Sequence, residues 1–209
     1  MTCATTLQKQ YIFKMSKLEI FFCSAPQSDD RLKLAAEMWA MWQKTPGISL
    51  TALYPERGQS YEFQRTRRMI AEKRAKGDIY ILTDDDIEPD WRGVPDWLQR
   101  GCRLLEFHPE FASLHPWLDG IGRWTPEGYE VFEDDEVVQH HSAGGIRFIR
   151  KGCMKEWPEQ TNRGYDGTQG AYLLQNGWRT GYLKNLKATH HGEGKRSDLW
   201  ADIYKTVNQ

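Results

Sequence analysis

The chain has 209 residues, with 28 Lys+Arg against 29 Asp+Glu and a formal net charge of -1. That balance excludes the strongly basic profile of a non-specific nucleic-acid binder, and 39% hydrophobic with 27% charged residues excludes wholesale disorder. The length suits one domain with a substantial core, and no apolar run reaches the roughly 20 residues needed to span a bilayer.

Residues 1–17 carry scattered lysines (Lys9, Lys14, Lys17) and read as a flexible leader before a single domain over residues 18–209. Leu18 to Cys23 is too short and too late for a signal peptide and reads as the first buried strand. Cys3, Cys23, Cys102 and Cys153 lie far apart with no CxxC pair, which argues against a disulfide framework and fits a reducing cytoplasm.

After a turn at Ser24 to Ser28, with Ser28 or Asp29 as the cap, Leu32 to Gln43 is expected to be helical. Arg31, Lys33, Glu37 and Lys44 are placed on its outer side, and Pro46-Gly47 ends it. Ile48 to Leu53 is a second strand, Tyr54 to Gly58 a loop. Ser60 to Lys76 is a basic helix with Phe63, Met69, Ile70 and Ala71 inward. Ile79 to Thr83 is a third strand running into Asp84-Asp85-Asp86. The alternation of strand and helix predicts a parallel α/β sheet whose post-strand loops share one edge, the edge where such sheets bind ligands.

Farther on, Val94 to Arg100 is predicted helical, and Tyr129 to Phe132, Val137 to His141 and Ile146 to Ile149 as strands. Gly144-Gly145 allows a tight turn or a close approach. Thr168 to Gln175 is a helix closed by Asn176-Gly177, Leu183 to Thr189 a strand leading to His190-His191, and Ser197 to Lys205 a terminal amphipathic helix.

The triple acid is the first candidate for chemistry. In an extended chain Asp84 and Asp86 share a face and Asp85 points away. Two carboxylates on one face repel unless a cation or a hydrogen-bond donor lies between them, and a hard ion such as Mg²⁺ or Mn²⁺ would neutralise them.

Arg65-Thr-Arg-Arg68, a helix to Lys76-Gly77-Asp78, an apolar strand and Asp84-Asp85-Asp86 together resemble the nucleotide-sugar half of the GT-A glycosyltransferases with their DxD motif, in the manner of family-2 transferases. The resemblance continues in Asp166-Gly-Thr-Gln-Gly-Ala-Tyr-Leu-Leu-Gln-Asn-Gly177, an acid leading a helix that ends in glycine, followed by a strand and a histidine. Tyr165-Asp166 stands where the family often shows Glu-Asp. The resemblance covers residues 18–192. It implies a three-layer α/β/α sandwich with a mixed, mainly parallel sheet. It also implies Asp166 as the catalytic base, Asp86 with Asp84 and His190 at a Mn²⁺ or Mg²⁺ ion, and His191 as the alternative histidine. The donor-binding set is Ala25, Glu56, Arg65, Arg68, Asp84, Asp85, Gly144 and Gly145, with His141 to Arg150 resembling the segment that lines the donor sugar. Trp91 and Trp157 flank these segments as candidate sugar platforms, although an isolated Trp is more often core.

The function implied is transfer of a sugar from a nucleotide-sugar donor to an acceptor hydroxyl. One base with no second nucleophile favours inversion. The acceptor stays open between a small molecule or glycan and a hydroxylated DNA base. The DNA case would gain if Arg147, Arg150, Lys151, Lys155, Lys184, Lys187, Lys195 and Arg196 formed one stripe. A nucleotidyl or phosphoryl transferase and a non-catalytic nucleotide-sugar-binding module are the competing classes. Oligomeric state is left open.

Overall fold

Leu18–Cys23 forms strand β1 because large apolar residues alternate onto both of its faces: Ile20 and Phe22 enter one layer, Phe21 and Cys23 the other. The computed structural model describes residues 18–24, 28–53, 61–119, 136–139, 145–154 and 164–191; for 61–64, 119 and 164–166 it describes the backbone alone. β2 (Ile48–Leu53) and β3 (Ile79–Asp84) flank β1 in parallel, with Cys23 opposite both Leu53 and Asp84. All three therefore end at one edge.

Helix α1 (Asp29–Gln43) starts at Ser28, whose hydroxyl accepts from the Arg31 amide at 3.3 Å. It stops short of Gly47, which holds a φ of 76°. Helix α2 (Tyr61–Arg74) buries Arg67, Ala71 and, just past its end, Ala75, at four-residue spacing. Met69, expected inside, is exposed, because the buried stripe passes through Arg67 and Arg68 instead.

The remaining elements are β4 (Ile87–Pro89), α3 (Trp97–Phe107), β5 (Phe111–Asp119), β6 (Val137–Gln139), β7 (Ile146–Arg150), α4 (Gly164–Gln175) and β8 (Arg179–His190). One sheet runs β2-β1-β3-β7-β5-β8-β4, with β6 also paired to β8. β1, β2, β3, β5 and β8 point one way, and β4, β6 and β7 the other. The sheet is thus mixed and mainly parallel by strand direction.

Helices α1 and α3 cover one face and α2 and α4 the other, which makes the expected three layers. Trp42 and Trp97 are wholly buried in the first layer, each worth about 1.5–3 kcal/mol or more by burial. The Trp97 indole N–H donates to the Lys187 carbonyl at 2.9 Å, so its burial leaves no orphaned donor. No helix among the described residues is long and apolar enough to cross a membrane.

Several elements depart from expectation. α3 begins at Trp97 rather than Val94 and continues to Phe107. β5 was not anticipated: Pro116 lies inside it, and the pairing with β8 shifts register there. α4 starts four residues before Thr168, and β8 starts at Arg179 rather than Leu183. The expected strand Tyr129 to Phe132, the expected helix Ser197 to Lys205 and the leader 1–17 lie outside the described residues.

Candidate functional site

The common edge of β1, β2 and β3 carries the acids. Asp84 closes β3, and its amide donates to the Gly145 carbonyl at 2.7 Å, holding the acidic turn against the start of β7. The alternation expected of the three acids stops at Asp84, because the chain turns there before β4. Asp85 and Asp86 converge instead of diverging. One guanidinium, that of Arg31, bridges them: Nη2 donates to Asp85 Oδ1 and Nη1 to Asp86 Oδ2, each at 2.6 Å. Ser24 Oγ donates to Asp85 Oδ2 at 2.8 Å, so both Asp85 oxygens are held.

β8 ends beside this turn, and its last residues alternate. His190 Nε2 lies 3.2 Å from Asp86 Oδ2. His191 turns away, its Nε2 2.8 Å from Glu88 Oε2, while its amide donates to the Asp86 carbonyl at 2.8 Å. His190, not His191, therefore meets the acidic turn. Burial alone would raise the Asp86 carboxyl, but His190 and Arg31 outweigh it and bring it down from 3.8 to about 2. The hydrogen bond to Asp86 in turn raises His190, against its partial burial.

A carboxylate oxygen and an imidazole nitrogen form a reasonable donor pair for Mn²⁺, whereas Mg²⁺ takes oxygen ligands and would be served by the carboxylate. At ligand distances of roughly 2.1 Å, two adjacent octahedral ligands stand about 3 Å apart, close to the 3.2 Å between Asp86 Oδ2 and His190 Nε2. These two residues fit Mn²⁺. Among the described residues no group of three His, Cys, Asp or Glu is arranged to hold a metal. Asp84, proposed as a further ligand, faces Gly145: its Oδ2 is 3.3 Å from where a Cβ on that glycine would lie.

The second layer brings α2 and α4 under the same edge. Arg67 and Arg68 are buried, and Arg65 partly so. Arg68 of α2 and Arg147 of β7 both donate to the Gln169 Oε1 of α4. Arg147 is paired in register with Leu82, two residues before Asp84. Asp166 lies three residues before Gln169, in the first turn of α4. α4 ends in a Schellman turn at Gly177 (φ 79°), where Trp178 N–H donates to Leu173 O at 2.9 Å, and feeds β8 at the far edge. Gln169, early in α4, meets Arg147, whose register partner Leu82 lies two residues before Asp84. Of Asp166 the backbone alone is described. Ala25, Glu56, His141 and Gly144 lie outside the described residues.

Burial pushes the thiol of Cys23, opposite Asp84, up to about 12, which disfavours the nucleophilic thiolate. Trp91 packs edge-on against Trp42 and Trp97 and belongs to the core margin rather than to a sugar platform. Trp157 lies outside the described residues. Among the described residues, Arg147 and Arg150 of β7 and Lys151 after it do not form one stripe, and Lys155, Lys195 and Arg196 lie outside the described residues. Arg147 is buried at one end of the strand, the Arg150 guanidinium donates to the Phe111, Leu105 and His108 carbonyls at the other, and Lys151 Nζ donates to the Ala75 carbonyl.

Arg31 is the site residue that sequence reasoning missed. Its place in the first turn of α1 was the available signal. A cation there opposes the helix dipole, and the turn after β1 neighbours the turn after β3, because β1 and β3 are adjacent and parallel.

No family model matches the chain, and no curated protein matches it. Solved structures do. The crystal structure of GalNAc-T7 with UDP, GalNAc and Mn²⁺ superposes at a TM-score of 0.51 with 14% identity, covering 85% of this chain and 44% of that one. S. aureus TarS 1-349 gives 0.51 and 14%, covering 83% of this chain and 60% of that one. UDP-glucose pyrophosphorylase from Acinetobacter baumanii gives 0.50 and 10%, covering 83% and 72%. The chain thus spans about half the length of the first two. The fold is an α/β fold of the GT-A type, shared by glycosyltransferases and sugar nucleotidyltransferases.

Proposed function

We propose that the chain is a metal-dependent glycosyltransferase that moves a sugar from a nucleotide-sugar donor to an acceptor hydroxyl, with inversion, in a reducing cytoplasmic setting. The observation that carries the reading is the Asp86–His190 pair, one carboxylate and one imidazole in contact at the ligand edge of a GT-A type sheet. The neighbour crystallised with UDP, GalNAc and Mn²⁺ supports it at the level of fold.

Asp86 and His190 would hold the ion, leaving its other positions to phosphate oxygens and water. Bound there, Mn²⁺ or Mg²⁺ supplies Lewis-acid charge to the departing nucleoside diphosphate. The chain's own groups do the rest. Asp85 keeps its neighbour in place through Arg31 and Ser24. Arg65 and Arg68 of α2 are assigned to the nucleotide in this reading, with Arg68 held against Gln169. Asp166, in the first turn of α4, takes the proton of the acceptor hydroxyl as that oxygen attacks, because a hydroxyl is a poor nucleophile at neutral pH. Ala25, Glu56, Gly144 and Gly145 complete the donor pocket in this reading. A glycan or small molecule is preferred as acceptor over a modified DNA base, since Arg147 is buried against Gln169 and Arg150 and Lys151 donate to backbone carbonyls.

The test is product analysis with UDP-, GDP- and CMP-sugars and Mn²⁺, after a thermal-shift screen for the donor that stabilises the fold. Release of nucleoside diphosphate that is lost in Asp166→Asn and Asp86→Asn is the expected result. The UDP-glucose pyrophosphorylase neighbour supports a second reading, nucleotidyl transfer. Pyrophosphate formed from a nucleoside triphosphate and a sugar 1-phosphate would establish that instead. Stabilisation without turnover of either kind would leave a binding module.

A further inference from the structure

We propose that Arg31 is the counter-cation of the Asp85–Asp86 turn. It competes with the divalent ion for Asp86 and, once released, donates to the donor's diphosphate while Asp85 keeps it tethered. The inference rests on reading Asp86 and His190 as the metal ligands.

The two ends of the guanidinium are held differently. Nη2 meets Asp85, a buried carboxylate whose other oxygen is fixed by Ser24. That carboxylate is an anchor. Nη1 meets Asp86 Oδ2, the same oxygen that His190 approaches. An ion seated between Asp86 Oδ2 and His190 Nε2 would draw on the electron density that Arg31 now uses, and would set a dication beside a guanidinium. The two cations compete for one oxygen.

Displacement does not free Arg31 into solvent. The fork geometry lets one nitrogen stay on Asp85 while the other turns outward, which a lysine cannot do. Arg31 is one-fifth exposed and stands in the first turn of α1, at the edge where β1 and β3 end. Ligands of open α/β sheets bind at that edge. Nη1, once turned outward there, suits a diphosphate oxygen as a charged donor, and its departure from Asp86 couples donor capture to metal loading.

The experiment is calorimetric titration of the full chain with Mn²⁺ alone, then with inorganic pyrophosphate at saturating Mn²⁺. Wild type, Arg31→Gln, Arg31→Lys and Asp86→Asn are compared, with circular dichroism confirming each fold. Arg31→Gln is expected to bind Mn²⁺ about tenfold tighter and pyrophosphate about tenfold more weakly than wild type. Arg31→Lys also gains Mn²⁺ affinity, and it decides the matter if Arg31→Gln does not fold. Unchanged or weaker Mn²⁺ affinity in the folded Arg31 variants, with binding still abolished by Asp86→Asn, overturns the inference and leaves the metal reading intact. Tighter Mn²⁺ with unchanged pyrophosphate binding overturns the tethered-donor role. If neither wild type nor the variants bind Mn²⁺ with or without pyrophosphate, the inference and the metal reading fall together.

Discussion

His190 and Asp86 stand 3.2 Å apart although 104 residues separate them, and each displaces the other's ionisation: the carboxyl falls to about 2 while the imidazole rises above its ordinary 6.5. The pair therefore ties the last residue of β8 to the turn after β3 by charge as well as by the backbone hydrogen bond from His191 to the Asp86 carbonyl.

The sign of the pH dependence follows. Asp86 is depressed in the folded state, so its contribution is complete above 3.8 and is lost as pH falls through about 2. His190 is raised, so its contribution is complete below 6.5 and is lost as pH rises through its folded value. The stability gap between wild type and His190→Gln should be widest between pH 3.8 and 6.5 and should narrow as pH rises further. Urea unfolding across pH in the presence of a chelator measures it. A gap that grows steadily above neutral pH would contradict the pairing.

The two adjacent histidines should separate cleanly in metal binding. His190 reaches Asp86, whereas His191 spends its imidazole on Glu88 at 2.8 Å. His190→Gln is expected to weaken Mn²⁺ binding by about tenfold or more, and His191→Gln to leave it nearly unchanged. Electron paramagnetic resonance of free Mn²⁺ during titration reads both. Equal losses would mean that the alternation at the end of β8 does not govern the site.

Gln169 sits between two buried guanidinium groups, those of Arg68 and Arg147, and its own amide nitrogen reaches Met154 Sδ at 3.5 Å. Gln169→Leu removes a shared acceptor from two buried cations and should cost about 1–3 kcal/mol in urea unfolding. Gln169→Glu keeps the shape and adds a negative charge between two positive ones, so it should be at least as stable as wild type at neutral pH. A Glu variant as damaged as the Leu variant would place the cost in packing rather than in charge.

The first half of the fold was legible because its signals are local. β1, β2 and β3 are short apolar runs bounded by turns, and Ser28 marks the start of α1 with its own side chain. β5 was hidden by Pro116, whose presence argues against a strand from within the sequence while the bulge that accommodates it is visible only in the pairing with β8. β4 is three residues long and carries no periodicity of its own. In the site, Asp86 and His190 were marked by the resemblance, but Arg31 was placed with the solvated residues of α1. Its partners lie 54 and 55 residues away, so only the adjacency of two parallel strands could have indicated them. Arg68 was marked as a nucleotide contact and Arg67 was left out of the site, whereas both are buried and Arg68 donates to Gln169, because a helix face gives no sign that a polar cluster, rather than water, will cover it.

Gly145 offers a test of how tightly the acidic turn is seated. A Cβ there would lie 2.7 Å from Ile87 Cδ1 and 2.8 Å from its Cγ1, and 3.3 Å from Asp84 Oδ2. Ile87 is wholly buried, so it has little freedom to yield. Gly145→Ala should destabilise the protein by about 1–3 kcal/mol through overpacking. Ile87→Val removes Cδ1, the nearer of the two Ile87 atoms that meet the new Cβ, while keeping Cγ1, and costs about 0.5–1.5 kcal/mol in the native background. The combined variant should lose less than the sum of the two, because the second change relieves the clash made by the first. A double-mutant cycle in urea unfolding gives the coupling directly. Strict additivity would mean that Gly145 is required for the backbone path into β7 rather than for its contact with Ile87.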